Sequence, residues 1–138
     1  MIQTNNPILV TGVAGFIGFS LTKKLLVEGE YIVGIDNLNS YYDKSLKLSR
    51  LNELNKFLKK GLNSFEFHQI SIEDKQKIND LFSTYRFSKV IHLAAQAGVR
   101  YSIENPYSYF QSNLIGFGNI LEAIRKNKVS NFIFASSS

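Results

Sequence analysis

The stretch "LVTGVAGFIG", Leu9 to Gly18, sets three glycines three residues apart behind a short apolar run. A strand that ends in such a run, followed at once by a helix, needs a tight turn. Gly12 permits the turn, Gly15 lets main chain approach a pyrophosphate, and Gly18 lets the helix pack closely on the strand. The bare N–H groups of the helix N-terminus then face the ligand, and the helix dipole adds ~0.3–1 kcal/mol toward an anion there. A loop that merely turns tightly is the alternative that this stretch alone leaves open.

Its neighbours narrow the choice. The next apolar run, "YIVGID", ends in Asp36, about 20 residues on, where a carboxylate accepts both ribose hydroxyls of an adenosine. No arginine follows in "DNLNS", and a carboxylate repels a 2′-phosphate, so the expected cofactor is NAD rather than NADP. An ordinary turn residue at the strand end is the bland reading of Asp36.

Further strand-like runs recur along the chain: "ILV" at 8–10, "FEFHQI" at 65–70, "KVIHLAA" at 89–95 and "NFIFA" at 131–135. Helical stripes separate them, for example Ile17, Leu21 and Leu25, then Leu114, Phe117, Leu121 and Ile124. Alternation of this kind predicts βαβ units with right-handed crossovers, and so a doubly wound parallel α/β sheet of about five strands. Pro106 is expected in the first turn of a long helix, after a loop "QAGVRYSIEN". No linker or repeat divides the chain, and residues 1–138 are expected to form one nucleotide-binding domain.

Composition agrees with a packed globular domain: 44% hydrophobic and 20% charged residues over 138 positions. The absence of cysteine rules out disulfides, thiolate metal sites and cysteine nucleophiles. His68 and His92 lie in or near apolar strands without a metal partner at ligand spacing, and no metal site is expected. "MIQTNNPILV" lacks the charged and long apolar regions of a signal peptide, and no run approaches the ~20 residues of a membrane span. A cytoplasmic protein without a membrane partner is the expectation.

The net charge is +5, and Lys44, Lys47, Arg50, Lys56, Lys59 and Lys60 cluster in one segment. Such a cluster can bind nucleic acid. Leu48, Leu51, Leu54 and Leu58 recur there at helical spacing, however, which predicts a solvated basic face and no nucleic-acid partner.

The spacing Gly12-x-x-Gly15-x-x-Gly18 resembles the "TGxxGFIG" of the extended short-chain dehydrogenase/reductase superfamily. Further along, "DNLNSYYDKSLKLSRL", "HLAAQAGVRYSIENPYSY", "SNLIGFGNILEA" and "FIFASSS" are similar to its nucleotide-sugar epimerases, and most closely to the UDP-glucuronate 4-epimerases. The likeness runs from Ile8 to Ser138. It implies a Rossmann fold and bound NAD that takes a hydride from C4 of a UDP-sugar and returns it to the other face. A tyrosine base, a lysine that lowers its pKa and a serine or threonine hydroxyl carry that chemistry.

By that resemblance, Gly12, Gly15, Phe16, Ile17 and Gly18 form the pyrophosphate turn, while Asp36 and Asn37 hold the adenosine. Leu93, Ala94 and Ala95 pass under the cofactor, and Asn113 matches the asparagine of the fourth crossover helix. Ser137 aligns with the catalytic hydroxyl; Ser136 and Ser138 flank the sugar carboxylate. Arg100 meets a uronate or phosphate, or is a surface arginine. Ser71, followed by Ile72, stands where the family has an acidic residue for the adenine amino group, so weaker cofactor binding is expected.

The sequence stops at Ser138, before the family's Tyr-x-x-x-Lys and its substrate-binding region. The spacing occurs at Tyr85 and Lys89, but ahead of the fourth strand and so at the wrong edge of the sheet. The chain alone is therefore expected to be inactive, and to form homo-oligomers or self-associate through an under-covered "NFIFA" edge. A 4,6-dehydratase or decarboxylase of the same superfamily, or a non-catalytic NAD-binding module, remain the alternatives.

Overall fold

The structure is a computed structural model that describes residues 6–57 and 65–137. Five strands, β1 (Ile8–Thr11), β2 (Ile32–Asp36), β3 (Phe65–Gln69), β4 (Lys89–His92) and β5 (Asn131–Phe134), form one sheet in the order β3-β2-β1-β4-β5. Every pairing is parallel. The crossovers are α1 (Phe16–Val27), α2 (Lys44–Asn55), α3 (Lys75–Thr84), the short α4 (Val99–Glu104) and α5 (Pro106–Tyr109), a π-helical segment Phe110–Gly116, and α6 (Phe117–Asn127). The expected doubly wound α/β sheet is what the chain forms, and the strand order reverses between β1 and β4.

Alternation along the strands builds a core on each face. Ile8, Val10, Ile32 and Ile91 pack with Leu26, Leu51 and Leu54 of α1 and α2. Leu9, Val33, Ile35 and Val90 pack with Ile78, Leu81, Ile120 and Ala123 of α3 and α6. Central parallel strands covered on both sides must be apolar throughout, and the run Ile8–Val10 is fully buried.

Several elements depart from the sequence pattern. The fourth strand ends at His92 rather than Ala95. The Thr11 hydroxyl captures the N–H groups of Leu93 and Ala94 at 3.1 and 3.0 Å, which turns the chain out of the sheet. "QAGVRYSIEN" is not all loop, since Val99–Glu104 is helical. Pro106 does open a helix, with the Asn105 side chain accepting from the Ser108 N–H.

The buried line of α1 is Gly18, Thr22 and Leu26, one position on from the expected stripe, whose Ile17 is exposed. On α6 it is Ile120 and Ala123, and Leu114 and Leu121 face outward. On α2 it is Lys47, Leu51 and Leu54, with Leu48 exposed, so the basic face is not wholly solvated. Leu58, Lys59 and Lys60 lie outside the described residues. No helix among the described residues is long and apolar enough to cross a membrane.

Candidate cofactor-binding site

The register places Thr11 level with Ile35 and with His92, so the carboxyl ends of β1, β2 and β4 open onto one crevice. That crevice, at the point where strand order reverses, is where open α/β sheets bind ligands. It holds a cavity of about 460 Å³ whose wall includes Gly12, Gly15, Phe16, Ile17, Gly18 and Asp36. Asn37, Ile72, Leu93, Ala94 and Ala95 line it too.

The glycines are required by contact. Gly12 has φ +69°, and a Cβ there would lie 2.9 Å from the main-chain nitrogen of Ala94. A Cβ on Gly18 would run into the carbonyl oxygen of Gly12. Main-chain bonds from Gly12 and Val13 to the Ile35 carbonyl, at 2.8 and 3.2 Å, tie the turn to β2. Gly15 caps α1 without a side-chain acceptor, and the first turn carries no acidic residue. The leading N–H groups of α1 therefore have no intrahelical partner, and the nearby Asp36 carboxylate bonds the Ala14 N–H, ahead of the helix. A phosphate group fits these donors.

Asp36 is buried and fixed from three sides. Oδ1 accepts from the Leu38 N–H at 2.8 Å and from Lys47 Nζ at 3.2 Å, and Oδ2 accepts from the Ala14 N–H at 3.2 Å. Leu38, in the left-handed region at φ +55°, is held there by this turn. Lys47 also donates to Asn39 Oδ1 at 3.4 Å, and Arg50 donates to the Ala14 carbonyl at 3.0 Å. Asn39, Tyr41, Tyr42, Lys47 and Arg50 all line the cavity.

None of these five was among the expected site residues. Lys47 follows Asp36 by eleven positions, and its spacing to Leu51 and Leu54 is helical. A lysine on a buried line is legible only once a buried carboxylate is seen opposite it.

A second cavity of about 300 Å³ adjoins the first through Leu93, Ala94 and Ala95, and is lined by His92, Asn113, Phe117, Phe134, Ser136 and Ser137. Asn113 accepts from the Gln96 N–H at 2.8 Å and donates to the Gln96 carbonyl at 3.0 Å, locking the chain after β4 onto the π segment. Ser138 lies outside the described residues.

Two expected residues fall elsewhere. Ser71 does not line the main cavity; its hydroxyl accepts from the Glu73 N–H at 3.4 Å, closing the turn after β3. Arg100 is exposed on α4 and lines neither cavity.

Tyr85 and Lys89 sit at the opposite end of the sheet, where Lys89 is level with Ile8 at the start of β1. The Tyr85 hydroxyl donates to Glu66 Oε2 at 2.6 Å, and burial together with that carboxylate pushes its pKa up to about 12. A phenolate base needs the reverse. Among the described residues no cluster of three or more His, Asp or Glu could hold a metal ion.

The model of the family described as GDP-mannose 4,6 dehydratase matches residues 9–138. The chain belongs to that family. Members of the wider group resemble it over nearly its full length. The UDP-glucuronate 4-epimerase of Thermodesulfobacterium geofontis is 49% identical over 130 residues, 94% of this chain and 39% of that protein. Protein CapI of Staphylococcus aureus is 47% identical over 131 residues, 95% of this chain and 37% of that protein.

Among solved structures, the UDP-glucose 4-epimerase of Thermotoga maritima with UDP-glucose superposes with a TM-score of 0.79 at 37% identity, over 95% of this chain and 38% of that one. The Thermus thermophilus UDP-glucose 4-epimerase in complex with NAD gives 0.76 at 34%, over 95% and 37%. This member of the family thus spans less than two fifths of the length of the relatives it matches.

Proposed function

We propose that this chain is the NAD-binding part of a nucleotide-sugar epimerase that inverts C4 of a UDP-uronate or related UDP-sugar through a 4-keto sugar. The observation that carries the reading is the joint opening of the glycine turn and the Asp36 carboxylate onto one cavity at the switch point. Relatives named UDP-glucuronate 4-epimerase that align over nearly the whole chain support the substrate class.

NAD, when bound, supplies a reversible hydride acceptor for the sugar carbon. The chain's own residues bind and orient. The N–H groups of α1 take the pyrophosphate, Asp36 and Asn37 take the adenosine ribose, and Leu93 to Ala95 give a smooth floor between the two cavities. Ser137, on the wall of the second cavity, is the hydroxyl we assign to the reacting oxygen, and Ser136 beside it is assigned to the sugar carboxylate. The family model's name favours a 4,6-dehydratase as the second reading. Both readings use the same cofactor site.

In this sequence Tyr-x-x-x-Lys occurs only at Tyr85 and Lys89, and Tyr85 is in the wrong protonation state and place. Calorimetric titration of NAD⁺ into the chain is expected to show one site. Gly15 has φ −72°, which any residue adopts, and a Cβ there would lie 3.1 Å from the Gly12 carbonyl oxygen; Gly15→Val, its fold checked by thermal melt, fills the approach to the phosphates. Its affinity is expected to fall at least about tenfold. The same protein given NAD⁺ and UDP-glucuronate is expected to form no C4 epimer. Absence of NAD⁺ binding would remove the reading, and turnover would remove the inactivity.

A further inference from the structure

We infer that Lys47 sets the cofactor's 2′ specificity, by neutralising Asp36 so that the adenosine pocket admits a 2′-phosphate as well as a free 2′-hydroxyl. The inference rests on the reading of the main cavity as an NAD site and goes beyond it.

A lone carboxylate at the end of β2 discriminates in two ways. It accepts hydrogen bonds from the ribose hydroxyls, and its charge repels a 2′-phosphate. In this chain the second effect is cancelled at its source. The side chains of Asp36 and Lys47 are only 6% and 9% exposed, and Nζ lies 3.2 Å from Oδ1. Solvent and salt screen such a pair far less than a surface pair. An ammonium also has three protons, of which Asp36 and Asn39 take two. Among the described residues nothing takes the third, and Lys47 is on the cavity wall.

Arg50 adds a second fixed cation on the same wall, one helical turn from Lys47 and bonded to the Ala14 carbonyl beside the phosphate turn. Around Asp36 the cavity thus carries one carboxylate and two cations. Asp36 keeps its role toward ribose hydroxyls, because among the described residues Oδ2 accepts from the Ala14 N–H alone and retains a lone pair. The pocket holds NAD by hydrogen bonding and is without the net negative charge that would exclude NADP.

Titration of NAD⁺ and NADP⁺ into the full 138-residue chain, with 5′-AMP and adenosine 2′,5′-bisphosphate as probes lacking nicotinamide, tests this. The native chain is expected to bind NADP⁺ within about tenfold of NAD⁺ at low salt. Lys47→Met leaves the Asp36 charge uncompensated, and the NADP⁺-to-NAD⁺ ratio of dissociation constants is expected to widen at least about fivefold. Lys47→Arg, which keeps the cation, is expected to hold the native ratio. A smaller widening in Lys47→Met overturns the proposal.

Should Lys47→Met fail to fold, judged by its thermal melt, the native ratio decides: discrimination above about tenfold overturns the proposal, and a ratio within it supports it. NAD⁺ binding with an unmoved ratio removes this inference alone. No binding of NAD⁺ removes the cofactor reading with it.

Discussion

Thr11 does three things with one hydroxyl, and the arithmetic of its bonds fixes the state of His92. A hydroxyl has one proton and two acceptor lone pairs. The N–H groups of Leu93 and Ala94 use the acceptors, so the proton goes to Nδ1 of His92 at 2.8 Å. His92 is thereby the neutral tautomer protonated at Nε2. Burial pushes its pKa down to about 4. The unfolded chain takes up this proton near pH 6.5 and the folded chain only near 4, so the stability contributed is complete above about 6.5 and is lost as pH falls. At about 1.4 kcal/mol per pH unit the loss reaches roughly 2–3 kcal/mol by pH 4.5. Denaturant unfolding of the native chain and of His92→Asn, which keeps an acceptor for Thr11, is expected to show that extra loss in the native chain only. Equal losses in both would place the acid sensitivity elsewhere. The sequence sets His92 in an apolar strand without a metal partner at ligand spacing. Its bond to Thr11 was not legible, because the two are 81 positions apart.

Among the elements, the sequence pattern is most legible where a strand lies between two covered neighbours. Ile8–Val10 and Ile32–Ile35 are apolar because both faces are buried, and the pattern has no other solution. Helical stripes are less legible where a special contact sets the rotation: on α1 the fully buried line lies one position on from Leu21 and Leu25, which pack on the core only partly buried, while on α2 Leu51 and Leu54 are buried as their spacing predicts. On α1 the close approach at Gly18 turns that residue, not Ile17, to the sheet. On α2 the Asp36 carboxylate draws Lys47 inward. Ahead of α6, the π segment widens the turn and shifts the register of everything before it. Gly116 then meets Ile72, Asn113 meets Gln96, and Ser112 donates to Glu73 at 2.6 Å. A reading at 3.6 residues per turn cannot anticipate that shift. The far end of α6 carries a separate cost: Lys128 caps it in the left-handed region at φ +53°. Glycine occupies such caps without the Cβ penalty. Lys128→Gly is expected to stabilise the chain by about 1 kcal/mol, read as a shift in denaturation midpoint at unchanged slope. A destabilised variant would mean that the lysine side chain supplies more than its backbone costs.

For the molecule as a whole, the two borders of the sheet are unlike each other. On β3 the polar side chain of Glu66 accepts from Tyr31 and Tyr85, and His68 bonds the Tyr85 hydroxyl at 3.0 Å. Polar groups of this kind blunt an edge against further pairing. On β5, "NFIF", no charged side chain intervenes; Ile133 and Phe134 are 53% and 48% exposed, and among the described residues the strand pairs with β4 alone. Among the described residues no strand pairs with its outer N–H and C=O groups, which can continue the ladder. A second copy of the chain offers the same edge, and a twofold axis perpendicular to the strand would pair β5 with β5 antiparallel, setting the partner strand beside Ile133 on one face of the sheet and beside Phe134 on the other. We propose that the 138-residue chain self-associates in this way. Light scattering over a concentration series is expected to show a mass that rises from monomer to dimer. Ile133→Lys puts a charge on the outer strand, where it opposes pairing without disturbing the buried face, and is expected to shift that rise to concentrations at least about tenfold higher. A native chain that stays monomeric throughout, or a variant that dimerises as before, would place the contact elsewhere or nowhere. Ala135 and Phe134 reach the cavities from this strand, but Ile133 lines neither of them. NAD⁺ binding is therefore expected to be unchanged by Ile133→Lys, which separates a failure of association from a failure of the fold.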